Sequence, residues 1–122
     1  MTATIQLTLP MPPSGNHRNV GSGKHTRHSP EYTAFLEAVG WCALAAGAVP
    51  AEGPVRVHVD IYYRRAVDAD NVLKPVHDAL QGYAYLNDAQ IVAGSYTRQQ
   101  DKRNPRVEVT ISPCLLTQEV NS

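Results

Sequence analysis

Residues 54–63, PVRVHVDIYY, alternate without a break: Val55, Val57, Val59 and Ile61 to one side, Arg56, His58 and Asp60 to the other. Such a strand requires a sheet with one face dry and one face wet, so helices must cover one side of it. Two segments have the required pattern. At Ser29-Pro30-Glu31, Ser29 can cap, Pro30 suits the first helical position and Glu31 favours the positive end of the dipole. Tyr32, Phe35, Val39, Cys42 and Ala46 then recur at helical spacing, with Leu36 and Ala43 beside them, and the helix is expected to stop near Gly47, before Pro50. The second helix is expected from about Asn71 to Gln81, with Val72, Val76, Ala79 and Leu80 as its apolar face and Gly82 as its stop. Pro75 must sit in or near its first turn, or kink it.

The remaining strands read as residues 2–9, 90–99 and 105–111, the last two joined by the turn Asp101-Lys102-Arg103-Asn104-Pro105 into a terminal hairpin. The order β-α-β-α-β-β predicts an α+β fold (α/β two-layer), a small mixed sheet covered by two helices. At 122 residues there is room for one domain, assigned to 1–113, with 114–122 as a flexible C-terminal tail. Residues 10–30 are too rich in Pro, Gly and Ser for a helix, and too long for an idle connection. Cys42 and Cys114 belong to no C-x-x-C pair, which argues against a zinc knuckle or redox motif. The start lacks the cationic and apolar segments of a signal peptide, and no run of about 18 apolar residues exists to span a membrane. A soluble cytoplasmic protein is expected.

Lys plus Arg and Asp plus Glu are 11 each, which excludes a protein held to DNA by bulk charge alone. The distribution is uneven. Residues 1–30 hold Arg18, Lys24 and Arg27 and no acid, whereas residues 61–90 hold Asp68, Asp70, Asp78 and Asp88. In Asp68-Ala69-Asp70-Asn71-x-x-Lys74-x-x-x-Asp78, read as an extended stretch leading into a helix, Asp68 and Asp70 leave on one side. Asn71, Lys74 and Asp78 share a helix face. Paired carboxylates repel unless a cation or proton lies between them, and hard oxygen donors suit magnesium, which can neutralise charge on a phosphate oxygen. Asp88, before Gln90-Ile91, is a third acid for such a cage. The same residues also fit a helix cap at Asp70, a solvated Asp68 and a turn Asp at 88.

These elements resemble the RusA family of Holliday junction resolvases, small endodeoxyribonucleases frequent in prophages. The resemblance lies in Pro12-Pro13-Ser14-x-Asn16, Ser29-x-Glu31-Tyr32-x-x-Phe35, Asp68-x-Asp70-Asn71-x-x-Lys74-x-x-x-Asp78-Ala79-Leu80-x-Gly82 and Asn87-Asp88-x-Gln90-Ile91, and spans roughly residues 5–111. It implies a magnesium-dependent enzyme, with manganese as a substitute, that cuts four-way junctions and related branched DNA in recombination and repair. It assigns metal binding to Asp68, Asp70 and Asp88, and an active-site lysine to Lys74. Hydrolysis would proceed by in-line attack of water, leaving a 5′-phosphate and a 3′-hydroxyl. The family usually has two adjacent acids before x-Q-I; here the first is Asn87. That departure, with the neutral net charge, motivates the alternative of a catalytically weakened junction-binding protein.

Asn71 either holds a ligand carboxylate or water, or caps the helix; Asp78 is expected to support Lys74, and Asn87 to lie behind Asp88. His77-Asp78 resembles the pair of HD-type phosphohydrolases, but the chain lacks the further His and Asp ligands of that chemistry. Tyr62, Tyr63, Tyr83 and Tyr85 are either core residues or platforms for unpaired bases. Asn16, Arg18, Lys24, Arg27, Arg64 and Arg65 are the candidate DNA contacts, with the loop from Asn16 to Arg27 expected to be mobile without DNA. A homodimer is expected, because a junction is near twofold and must be cut on two opposing strands.

Overall fold

The computed structural model describes residues 4–14, 19–20 and 27–114. Strand β1 (Ile5–Leu9) is followed by two two-residue strands, β2 (Asn19–Val20) and β3 (Arg27–His28), then α1 (Pro30–Ala45), β4 (Val55–Tyr63), α2 (Ala69–Leu80), β5 (Ile91–Gln100) and β6 (Arg106–Pro113). One turn of 3₁₀ helix, Asp88–Gln90, precedes β5. Four strands form a mixed sheet in the order β1-β6-β4-β5, with both helices on one side, so the α+β two-layer architecture expected from the alternation at 54–63 is present. β2 and β3 pair antiparallel as a separate small ribbon within the Pro- and Gly-rich segment.

The terminal hairpin does not form. β5 lies parallel to β4, and β6 lies antiparallel to β4 on its other side, so both flank the same strand. The connection therefore steps over the end of β4. The Asp101 amide donates to the Tyr63 carbonyl at 2.9 Å, and Arg106 donates to Asp101 at 2.9 Å while stacking 3.8 Å above the Tyr62 ring. The strand richest in branched apolar residues takes the central place because a partner on each side buries it. Val55, Val57, Val59 and Ile61 are sealed against the helices with Val107, Val109, Ile111, Leu7 and Leu9.

Helix α1 begins as expected. The Ser29 hydroxyl accepts from the Tyr32 amide at 3.1 Å, and Pro30 opens the first turn. It ends in paired bonds, Ala48 amide to Ala43 carbonyl at 2.9 Å and Gly47 amide to Leu44 carbonyl at 3.0 Å, with Gly47 at φ +75°, where glycine is favoured. The buried stripe is Tyr32, Phe35, Val39, Gly40 and Ala43, whereas Cys42 is half-buried and Ala46 exposed. At Gly40 the helix meets Tyr83; a Cβ there would fall 2.7 Å from the tyrosine oxygen.

Helix α2 starts two residues earlier than its apolar pattern indicates, at Ala69. Pro75 is therefore in the interior, where its ring removes the bond that the Asn71 carbonyl would accept. That cost, about 3 kcal/mol in an isolated helix, is offset by burial of Pro75 with Val72, Val76, Ala79 and Leu80 against the sheet.

Candidate active site

The early start of α2 decides where its acids point. Asp68 is the N-cap, in extended backbone, and its side chain makes no cap bond to the helix. Asp70 lies inside the first turn. Because a helix turns about 100° per residue, Asp70 is carried round the axis and does not share a side with Asp68 as an extended stretch would dictate.

The two acids line neighbouring cavities. Asp68 and Asn71 face an open cleft of about 450 Å³ lined also by Met11, Pro12, Pro13, Ser14, Val67 and Arg98. The proline-serine motif after β1 is thus folded onto the start of α2. Asp70 faces a second cavity of about 470 Å³ with Leu73, Lys74, His77, Asp78 and Asp88. In that cavity the Lys74 ammonium is 3.5 Å from Asp78, one turn along the helix, and is 77% exposed. The expected helix face therefore divides, Asn71 going to the first cavity and Lys74 with Asp78 to the second.

Asp88 reaches this helix by a built support. The Asn87 side chain accepts from the Ala89 amide at 2.8 Å, and Gln90 accepts from the Asn87 amide at 2.9 Å, a capping box around the single 3₁₀ turn. Gln90 also donates to the Ala51 and Gly53 carbonyls, both at 2.8 Å, which ties the turn to the segment before β4. Gln81 accepts from the Asp88 amide at 2.8 Å. The buried Tyr85 hydroxyl donates to the His77 carbonyl at 2.6 Å, pinning the return chain to α2. Burial raises the Tyr85 hydroxyl well above its ordinary value, with Asp88 and Asp78 adding to the effect, so it remains a donor. Burial pushes the His77 imidazole down, against the opposing charges of Asp78 and Asp88. Gln81, Gln90 and Tyr85 hold the turn that carries Asp88; in the sequence the D-x-Q-I motif marks Gln90, and Tyr85 reads only as a core or stacking residue.

Ile91, the first residue after this turn, aligns with Val55 at the start of β4, whereas Asp68 follows β4's far end. Asp88 thus approaches α2 from the end opposite Asp68, and its charge acts on His77. Among the described residues, no three His, Cys, Asp or Glu side chains are gathered closely enough to hold a metal ion by themselves.

The other candidates fall as follows. Arg64 and Arg65 are exposed in the turn between β4 and α2. Asn16, Arg18 and Lys24 lie outside the described residues, as does the centre of their loop; Arg27 is in β3. Tyr85 is core, and Tyr62, Tyr63 and Tyr83 are half-buried, Tyr62 beneath Arg106 and Tyr83 against Gly40. The described cysteines are free thiols, Cys114 buried and Cys42 half-buried. No described helix is long and apolar enough to cross a membrane.

Residues 10–112 match the family model of Endodeoxyribonuclease RusA. The chain belongs to the RusA endodeoxyribonuclease family. It is 30% identical over 115 residues to the crossover junction endodeoxyribonuclease RusA of Enterobacteria phage 82, covering 89% of this chain and 94% of that one. The identity and coverage are the same for the proteins of that name from Escherichia coli K12 and Shigella sonnei Ss046. The match takes in both cavities: the proline-serine motif, the Asp68–Asp78 block and the Asp88 turn all lie within it.

Proposed function

We propose that this chain is a magnesium-dependent endodeoxyribonuclease that resolves Holliday junctions and related branched DNA by phosphodiester hydrolysis, acting in the cytoplasm in recombination and repair. The observation that carries the reading is the family match across residues 10–112, which includes every element that lines the two cavities along α2.

The donor set fits magnesium. That ion takes one or two carboxylates and keeps several waters, so it does not need a closed cage of three acids. Asp70 and Asp88 on one cavity and Asp68 on the next supply hard oxygen donors, and none of them is spent in an ion pair among the described residues. When bound, the ion supplies charge neutralisation at a phosphoryl oxygen and a water more readily deprotonated. Manganese, with the same preference for oxygen, is expected to substitute. Lys74 stabilises charge that develops on the phosphate, with Asp78 orienting its ammonium. Asn71 holds its own side of the helix start, and Asn87 fixes the turn that presents Asp88.

A structural role for Asn87 supports the active reading over the weakened one. Its side chain is engaged on the Ala89 amide as a cap, a role Asp and Asn fill equally. A homodimer is part of the proposal. Trp41, Leu44 and Val49 are 73%, 59% and 70% exposed in and just after α1, a helix apolar on more than its buried face.

The test is cleavage of a synthetic four-way junction and of a linear duplex of the same sequence, each with magnesium. Paired nicks at the junction with an intact duplex are expected. Equal cutting of both, or of neither, overturns the proposal.

A further inference from the structure

We propose that Arg98 is a phosphate-binding residue of the cleft that holds Asp68, gripping a backbone phosphate of the DNA; the inference rests on the nuclease reading above. Arg98 is on the edge strand β5, opposite Ile61, and so on the face of the sheet that carries the helices. There it reaches the loop before α2. One guanidinium nitrogen, Nη1, donates to the Val67 carbonyl at 2.8 Å, one residue before Asp68.

Three features point from that anchor to a phosphate. First, Asp68 and Arg98 are the two charged residues among those lining the cleft, so a polyanion entering it meets Arg98 as the local cation. Second, Arg98 is in no ion pair among the described residues, although Asp68 shares its cleft. Its charge is not cancelled by a carboxylate. Third, the carbonyl occupies one of five N–H donors, and the others remain on an exposed, planar fork whose geometry matches two phosphate oxygens. An arginine steadied by a neutral carbonyl is oriented at no loss of charge. No motif marks the residue, because Ser95-Tyr96-Thr97-Arg98-Gln99 reads as an ordinary wet edge strand.

The test uses wild type, Arg98→Ala, Arg98→Lys, Arg56→Ala and Asp70→Asn, each checked by thermal melting. Junction affinity is measured in calcium over a range of salt, and cleavage in magnesium. Arg98→Ala is expected to bind about tenfold more weakly and to lose about one unit of salt slope. Arg98→Lys should keep the slope but recover only part of the affinity, since an ammonium lacks the fork. Arg56→Ala removes the same charge from the opposite sheet face and should leave both unchanged. If Arg98→Ala and Arg98→Lys bind as wild type does, or if Arg56→Ala loses as much slope, the proposal is wrong; loss of cleavage in Asp70→Asn would show that the nuclease reading stands without it. A wild-type protein that neither binds nor cuts the junction would overturn both.

Discussion

Asp60 shows how one carboxylate on the wet face of the sheet is tuned by its strand neighbours. The Thr97 hydroxyl donates to it at 2.6 Å from β5, and His58 Nε2 lies 2.8 Å from the same oxygen while His58 Nδ1 lies 2.6 Å from the Ser95 hydroxyl. The Thr97 bond first, and then His58, hold the Asp60 carboxyl below its ordinary 3.8 against the opposing effect of burial. A carboxyl with a folded pKa below its unfolded value contributes stability that is present above the unfolded value and is lost as pH falls through the folded one. The affected window is therefore below about pH 4. Thr97→Val should raise the Asp60 pKa towards the ordinary value and reduce the stability lost in that window. Carboxyl titration by NMR, with acid unfolding of both proteins, checks this; an unchanged Asp60 pKa in Thr97→Val would contradict it.

Among elements, those with a strong period were legible and those set by a cap or a partner were not. The alternation of β4 and β6 and the Ser29-Pro30 start of α1 read directly into structure, because each is a local rule obeyed by the residues that carry it. The pairing of β5 with β6 is where the reading failed: a turn-rich link predicts a hairpin, but burial of β4 on both edges outweighs the short connection. Nor was the position of Asp70 legible, since an Asp at a helix start serves as a cap or a first-turn residue and only the tertiary fold distinguishes them. The motif located Asp68, Asp70, Lys74 and Asp88 in the sequence without showing that two cavities divide them. The turn carrying Asp88 gives a test at this scale. Asn87→Asp should keep the cap and melt within about 0.5 kcal/mol of wild type. Asn87→Ala should cost about 1 kcal/mol and slow cleavage by displacing Asp88. Thermal melting with a cleavage time course decides; an Asn87→Ala protein as stable and as active as wild type would show that the cap is idle.

At the scale of the whole molecule, the chain covers one sheet face with two helices and leaves apolar side chains on the outside of α1. A second copy is the partner expected for a resolvase, since two opposing strands must be cut. Sedimentation equilibrium should give twice the 13.3 kDa chain mass, and Trp41→Glu with Leu44→Glu should shift it towards monomer with the fold intact, because both side chains are exposed. A wild-type monomer with full resolving activity would rule this out.

The proposed function requires that the acids around α2 serve chemistry rather than folding. It is tested most directly by junction cleavage in magnesium with wild type and Asp70→Asn, alongside their melting temperatures and junction affinities in calcium. Asp70→Asn removes a charge at constant shape from an exposed side chain in the first turn, so the fold should survive with only a small loss from the helix dipole. Cleavage should fall by about a hundredfold or more, with binding equal or slightly tighter because one negative charge near the phosphates is gone. An Asp70→Asn protein that folds, binds and cuts at the wild-type rate would contradict the account.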